Sequence, residues 1–248
     1  MNISVSAIVL NSSPSGDSDR LCVLLTDRLG VIYALARGAQ RMKNKNFAGT
    51  AQFVYGKFQL FDNKGHYQID ESDYEELNLP LRDRLEKLAL AQYLCELAME
   101  LTPSDNTCAQ FLLLLRTAFW LLVNNRHEPA LIKAATELRM LAMAGYQPDV
   151  VMCPECGQYE IEHPVLLLSS GQLRCAECVT TPEPFALLDP GSLAAVRHVL
   201  FTDLRRVYSF ELSGASLKTL SDAAERYLLH RIEHTFTTLQ FYRQIYET

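Results

Sequence analysis

Four cysteines are the residues of this chain whose type and spacing specify chemistry most directly. They fall as Cys153-x2-Cys156 and Cys175-x2-Cys178, with eighteen residues between the pairs. A Cys-x-x-Cys turn brings two thiolates to one point, and a second such turn, returned by a hairpin, completes a tetrahedron around Zn2+. The turns read Cys153-Pro154-Glu155-Cys156-Gly157 and Cys175-Ala176-Glu177-Cys178, joined by an apolar, strand-like run from Pro164 to Leu168 and a Ser169-Ser170-Gly171 turn. This is the outline of a zinc ribbon. Two redox dithiols or four unrelated buried thiols are the blander readings, and both spacings sit inside the zinc window. Four thiolates leave no open position on the metal, so such a site holds a fold and names no reaction.

The second set is cationic. From Arg28 to Phe61 the chain carries Arg28, Arg37, Arg41, Lys43, Lys45 and Lys57 and no Asp or Glu. Arg41, Lys43 and Lys45 lie in a long loop between a third and a fourth strand, flanked by Gly38 and Gly49, where flexible cations can follow a phosphate backbone. Along the fourth strand, alternation puts Phe53, Tyr55, Lys57 and Gln59 on one face and Val54, Phe58 and Leu60 on the other. Rings interleaved with a cation suit unstacked bases and phosphates. The competing reading buries Phe53 and Tyr55 against a neighbouring helix and leaves the lysines as a solvated face. Asp70, Glu71, Asp73, Glu75 and Glu76 follow directly, so a net charge of −6 conceals a basic face.

These residues need elements to hold them. Val5–Leu10, Leu21–Thr26 and Val31–Ala36 are rich in aliphatic and β-branched residues, and Gln52–Phe61 and Tyr67–Tyr74 follow. A Pro14-Ser15-Gly16 loop and a turn at residues 27–30 divide the first three, and residues 62–65 divide the last two. Five strands without an intervening helix predict a small closed barrel of the oligonucleotide-binding (OB) type, with a five-stranded open sheet as the other possibility. After Pro80 the period becomes helical. Leu90, Leu94, Leu97 and Leu101 recur on one face until Thr102-Pro103 stops them. A nearly all-apolar helix follows, from about Asn106 to Val123, and belongs in the middle of a bundle. A third runs from Pro129 to Gly145, Asp189-Pro190 caps another, and Leu217, Leu220, Ala224, Tyr227 and Leu228 mark a long closing helix. The expected architecture is therefore multidomain α+β. An OB-type barrel spans residues 1–79, and a mainly helical domain spans 80–248 with the ribbon inserted at about 150–185.

The size and composition of the chain exclude several classes. With 248 residues and 48% hydrophobic content it can form real cores in two or three units. Cys22, Cys95 and Cys108 lie in apolar patterns as ordinary buried thiols, and the odd cysteine count argues against a secreted disulfide framework. With no cation before Arg20 the amino terminus does not resemble a signal peptide, and Arg116-Thr117 interrupts the longest apolar run, so a cytoplasmic protein without a membrane span is expected. Gly214–Thr219 lacks the second glycine and preceding strand of a P-loop, and reads as a helix start. His230 and His234 stand four apart, but Glu233 does not occupy the place a zinc-protease motif requires. A zinc deaminase needs an open metal position, which four thiolates close.

The ordered set Leu25-Thr26-x-x-x-Gly30, Ala36-Arg37-Gly38-Ala39 with cations following, Gly145-Tyr146-x-Pro148, and the two Cys-x-x-Cys turns around Gly171 resembles the bacterial RecO family of recombination mediators. The resemblance covers essentially the whole chain. It implies an amino-terminal OB barrel, a helical carboxy-terminal domain with a structural zinc ribbon, and no bond-breaking activity. It also implies binding of single- and double-stranded DNA, annealing of complementary strands, and engagement of RecR and the acidic tail of single-strand DNA-binding protein (SSB), so that RecA is loaded at gaps. Arg37 carries over with its motif, while Arg41, Lys43 and Lys45 carry over as the family's basic loop. The chain departs after Gln52, where the family often has proline and Phe53 stands here. The pocket for the SSB tail is not placed by residue, which leaves Arg116, Arg126, Lys133 and Arg139 unranked. A protein–protein adaptor whose barrel binds nothing is the alternative function, and an unrecognised zinc enzyme a third.

Overall fold

The computed structural model describes residues 1–104, 107–180 and 182–246. Within them two compact units form: residues 1–124 with 236–248, and residues 125–235. The first is built on a closed five-stranded barrel of β1 (Asn2–Ser15), β2 (Asp19–Thr26), β3 (Val31–Ala36), β4 (Tyr55–Asn63) and β5 (His66–Glu76). The strands close in the order β1-β2-β3-β5-β4. β1 serves as partner to both β2 and β4, and β3 meets β5 in parallel. A bulge between Val9 and Asn11 lets β1 bend around the closing barrel.

Alternation explains the interior. Val5, Ala7, Val9, Cys22, Leu24, Ile32, Ala34, Phe58, Leu60 and Ile69 point inward and form one buried cluster. Small residues stand where the wall is tightest. A side chain at Gly56 would place its Cβ 2.3 Å from the Asp73 carbonyl oxygen, so β4 and β5 can cross only at glycine.

The barrel does not stand alone within its unit. Residues Leu79–Arg82 make a short 3-10 turn, followed by α1 (Leu85–Leu101) and α2 (Cys108–Val123). Both helices pack on β1, and α2 also packs on β2, which buries the outward residue Leu25. The last helix, α6 (Thr237–Tyr246), returns to α1, where the Phe236 ring meets Tyr93 edge-on at 5.8 Å. The expected boundary at residue 79 follows the change of period, whereas the compact unit runs on through Asn124. α2, expected in the middle of a bundle, lies instead against β1, β2 and α1 and leaves Leu113 and Trp120 exposed on its far face, because the barrel wall and one helix cover only part of its apolar surface. Asn106, expected as its start, lies outside the described residues.

The second unit contains α3 (Pro129–Leu141), a π turn (Ala142–Tyr146), three short strands, α4 (Pro190–Phe201) and α5 (Gly214–Ile232). Pro129 opens α3, and Gly145 at φ 93 ends the turn that continues it. Asp189 caps α4 by accepting hydrogen bonds from the Gly191 and Ser192 amides at 2.9 and 3.0 Å. Gly214 begins α5 as a helix start, with no phosphate loop. α5 ends at Ile232, with Glu233 in the left-handed region, so His234 lies past the helix and off the register that would pair it with His230. His230 instead shares a 2.9 Å hydrogen bond with the Ser169 hydroxyl. Among the described residues no helix is long and apolar enough to cross a membrane.

Candidate functional site

Two candidate sites come from different levels of structure. In the second unit, the first cysteine turn is closed by the Gly157 amide donating to the Cys153 carbonyl at 2.8 Å, with Gly157 at φ 74. The second turn follows β7 (Leu173–Cys175) as a 3-10 turn at Ala176–Cys178. β6 (Pro164–Leu167) sits between β7 and β8 (Phe185–Leu187), and its pairing of Pro164 with Cys175 carries the second turn to the first. The four sulfurs lie within 4.8 Å of one another, and those of Cys156 and Cys175 are 3.5 Å apart. For a metal–sulfur distance near 2.3 Å the edge of a tetrahedron is about 3.8 Å, so the donor set can hold a metal ion.

The thiols also oppose one another. Burial disfavours ionising Cys153, but the amides of Cys175, Cys156 and Glu155 outweigh it and draw that thiol down to about 6. Burial and the sulfurs of Cys156 and Cys153 push Cys175 up to about 12 and Cys178 up to about 11. One thiolate suppresses the next, and a divalent cation among them removes that opposition. Cys22, Cys95 and Cys108 are buried outside this cluster. Burial raises the Cys22 thiol to about 11, and that of Cys95 is also raised, which makes both inert at neutral pH.

On the barrel, the structure separates the residues that the sequence had grouped. Phe53 and Tyr55 do not offer stacking faces: Phe53 is fully buried and Tyr55 nearly so. The Phe53 ring meets Phe119 of α2 edge-on at 5.7 Å, and the Arg116 guanidinium lies 3.8 Å from the Tyr55 centroid. Phe53 also has φ 71, a conformation closed to proline, and precedes the strand, which begins at Tyr55. The helix-burial reading is the one the structure adopts. Lys57 and Gln59 are exposed and Phe58 and Leu60 buried, as alternation requires.

The basic loop is a pinned platform. Asn46 is buried, its Oδ1 accepting from the Ser72 amide at 2.9 Å and hydroxyl at 3.0 Å. Gly49 packs so closely that a Cβ there would come within 2.3 Å of the Ser72 Oγ. Arg20 donates to the Phe47 carbonyl at 2.7 Å and to Thr50 at 3.1 Å. Above this backbone Arg37, Arg41, Lys43 and Lys45 are exposed. Lys45 stands 3.5 Å from Glu71, an exposed pair that phosphate can displace. Lys57 faces Asp73 across the ladder, and Arg28 is held beside Asp27 and by the Ser4 carbonyl. Among the described residues no ion pair engages Arg37, Arg41 or Lys43.

Closure of the barrel creates a groove that linear reading missed. Leu21, Tyr33, Arg37, Phe61, His66 and Tyr67 line a depression of about 460 Å³ on the β2–β3 face beside the β4–β5 hairpin. Tyr33 is 64% and Phe61 43% exposed, so two aromatic faces stand open at one end of the cationic loop. This is the face and the hairpin by which OB barrels take oligonucleotides. The signal was available at Tyr33, a large ring at an outward position between inward Ile32 and Ala34. Nothing in the sequence placed it beside Phe61.

The unranked cations all have partners. Arg116 binds Glu76 at 2.7 Å, Lys133 is buried between Glu137 at 2.8 Å and Glu225 at 2.7 Å, and Arg139 donates to the Val199 and Leu200 carbonyls at the end of α4. Of the four, only Arg126 is exposed.

The domain family described as Recombination protein O N terminal matches residues 1–76, and Recombination protein O C terminal matches residues 82–240. The chain belongs to this RecO family. The two matches leave residues 77–81 between them, and the compact units divide elsewhere. "DNA repair protein RecO" of Symbiobacterium thermophilum is 30% identical over 244 residues, covering 96% of this chain and 95% of that protein. The protein of the same name from Acetivibrio thermocellus is 26% identical over 243 residues, 98% and 97% of the two chains. That of Alkaliphilus metalliredigens is 24% identical over 246 residues, 99% and 100%. Family membership thus spans both candidate sites.

Proposed function

We propose that this chain is a non-enzymatic DNA-binding and strand-annealing mediator of recombinational repair, acting with RecR and SSB to promote RecA loading on single-stranded DNA. The observation that carries the reading is the juxtaposition of the open Tyr33 and Phe61 rings with Arg37 and the pinned loop bearing Arg41, Lys43 and Lys45. Rings stack unpaired bases regardless of sequence, and cations neutralise the phosphates between them. DNA contact is assigned to those residues, with Lys57 and Arg28 as outlying cations and Phe53 and Tyr55 removed. Membership in a DNA-repair family supports the same assignment. Annealing follows from neutralising two strands at once, because their mutual repulsion is what opposes pairing.

The metal is assigned as one structural Zn2+ held by Cys153, Cys156, Cys175 and Cys178, since four thiolates favour zinc and leave no position for substrate. The ion would supply folding free energy to a ribbon whose strands are three or four residues long.

The test is the salt dependence of single-strand binding. If Arg37, Arg41, Lys43 and Lys45 each neutralise one phosphate, log affinity falls with log salt at a slope of roughly −3 from these four, at about −0.7 per contact. Replacing Arg41, Lys43 and Lys45 by alanine should flatten the slope by about two units. An unchanged slope moves the DNA site elsewhere. Tight SSB or RecR binding by a protein with no DNA affinity at modest salt would favour the adaptor instead. Complementary strands coated with SSB should anneal faster in its presence, and absence of acceleration counts against the mediator reading.

A further inference from the structure

The barrel has a second polar depression that shares no residue with the groove. It measures about 380 Å³ and is lined by Ser12, Ser13, Arg20, Gln40, Gln52 and Arg82, with Pro14 and Ala51 and no carboxylate. It lies where the β1–β2 hairpin, the far end of the 37–54 loop and the turn before α1 converge. Each arginine is fixed by its backbone contact. Arg20 is held by the Phe47 carbonyl and Thr50, and Arg82 donates to the Gln52 carbonyl at 2.6 Å with its guanidinium over the Phe53 ring at 5.7 Å. Gln40 and Gln52 are likewise oriented, through the Asp19 and Leu10 carbonyls.

Two guanidiniums held by carbonyls rather than by carboxylates keep their full charge and their remaining N–H donors for an anion. The depression offers hydroxyl, amide and guanidinium groups, and no open aromatic face on which a base could stack. Its chemistry therefore matches a phosphate and not a base, in contrast to the Tyr33–Phe61 groove.

We propose that this pocket is a phosphate-binding site that holds the backbone of a second DNA strand while the groove holds the bases of the first. The assignment rests on the DNA-binding reading above and gives it a two-strand geometry. Stacking in the groove would select unpaired bases, whereas the Arg20–Arg82 pocket would accept any strand by its backbone. Both strands would then lie on one barrel with their charges neutralised separately.

The experiment compares the full-length protein with Arg82→Ala and Ser13→Glu. The second variant sets a carboxylate in the pocket without touching the arginine contacts, which keeps the test valid if Arg82→Ala unfolds. Single-strand affinity by anisotropy should stay within about twofold, while the annealing rate of complementary strands should fall about tenfold, the scale of one charge-assisted contact. Inorganic phosphate titrated into the wild type should move the Arg20 and Arg82 side-chain NMR signals and leave that of Arg139, held by the Val199 and Leu200 carbonyls, in place. Equal losses of affinity and annealing would make the pocket part of the first strand's track and overturn the assignment. Phosphate binding with annealing untouched in both variants would make it a free-phosphate site and overturn it too. A wild type that binds no single strand would instead defeat the underlying DNA-binding reading.

Discussion

The ribbon and the barrel face place chemistry in opposite ways. In the ribbon, each pair of donor atoms comes from one tight turn, and a single short hairpin joins the turns. The donors are local twice over, and spacing alone specifies them. On the barrel, Tyr33 comes from β3, Arg37 from the turn that follows it, Phe61 from β4, and His66 and Tyr67 from β5, so the groove exists only once β3 and β5 pair in parallel. The two regions also differ in charge. Residues 149–183 carry Asp149, Glu155, Glu160, Glu162, Glu177 and Glu183 against Arg174, whereas residues 28–61 carry six cations and no acid. Phosphate is attracted by one and repelled by the other. The two candidate sites thus differ in charge as well as in how far apart their residues stand in the sequence.

The largest effect expected is that of Cys175→Ser. Structural zinc supplies on the order of 10 kcal/mol or more of apparent binding free energy coupled to folding. The variant should lose metal by direct assay and loosen the unit of residues 125–235, while the barrel keeps its single-strand affinity. Parallel loss of DNA binding would dissolve the contrast, because the ribbon would then belong to the DNA site.

Within the barrel the two kinds of aromatic residue can be set against each other. Phe53→Ala removes a fully buried ring packed on Phe119 and should lower unfolding stability by about 3–5 kcal/mol in denaturant titrations, with native-state DNA affinity retained. Tyr33→Ala should do the reverse, leaving stability nearly unchanged and weakening single-strand binding by about 1–3 kcal/mol, the scale of one stacked base. If Phe53→Ala weakened binding in its folded form more than Tyr33→Ala, the face assigned to bases would be wrong.

The smallest effect lies at the Asp189 cap of α4. Burial raises its pKa, but amide and hydroxyl donors from Ser192, Ser216 and Gly191 outweigh this, and the carboxyl sits below its ordinary range. A folded-state pKa below the unfolded one contributes stability that is complete above the unfolded value and is lost as pH falls through the folded value. Asp189→Ala should therefore cost about 1 kcal/mol at neutral pH, and the gap from wild type should narrow below about pH 4. A gap that persisted undiminished in acid would deny the cap its charge.

Much of this protein was legible in its linear order. The two cysteine turns, the period of each of the five strands, the proline start of α3, the Asp189 cap and the cationic stretch are all features of short segments, where composition and spacing act directly. Tertiary structure decided the rest. Strand alternation states only that Tyr55 and Lys57 lie on the same side of a sheet, not what covers that side. Here α2 covers one end of the barrel and buries Phe53 and Tyr55, leaving Tyr33 and Phe61 open. Burial is a relation between segments far apart in sequence, and no local pattern encodes which of four outward rings a helix will claim. The sequence by itself determined which residues could bind metal or phosphate. Closure of β1 onto β4, the parallel pairing of β3 with β5, and the packing of α2 determined which of them remain available to do so.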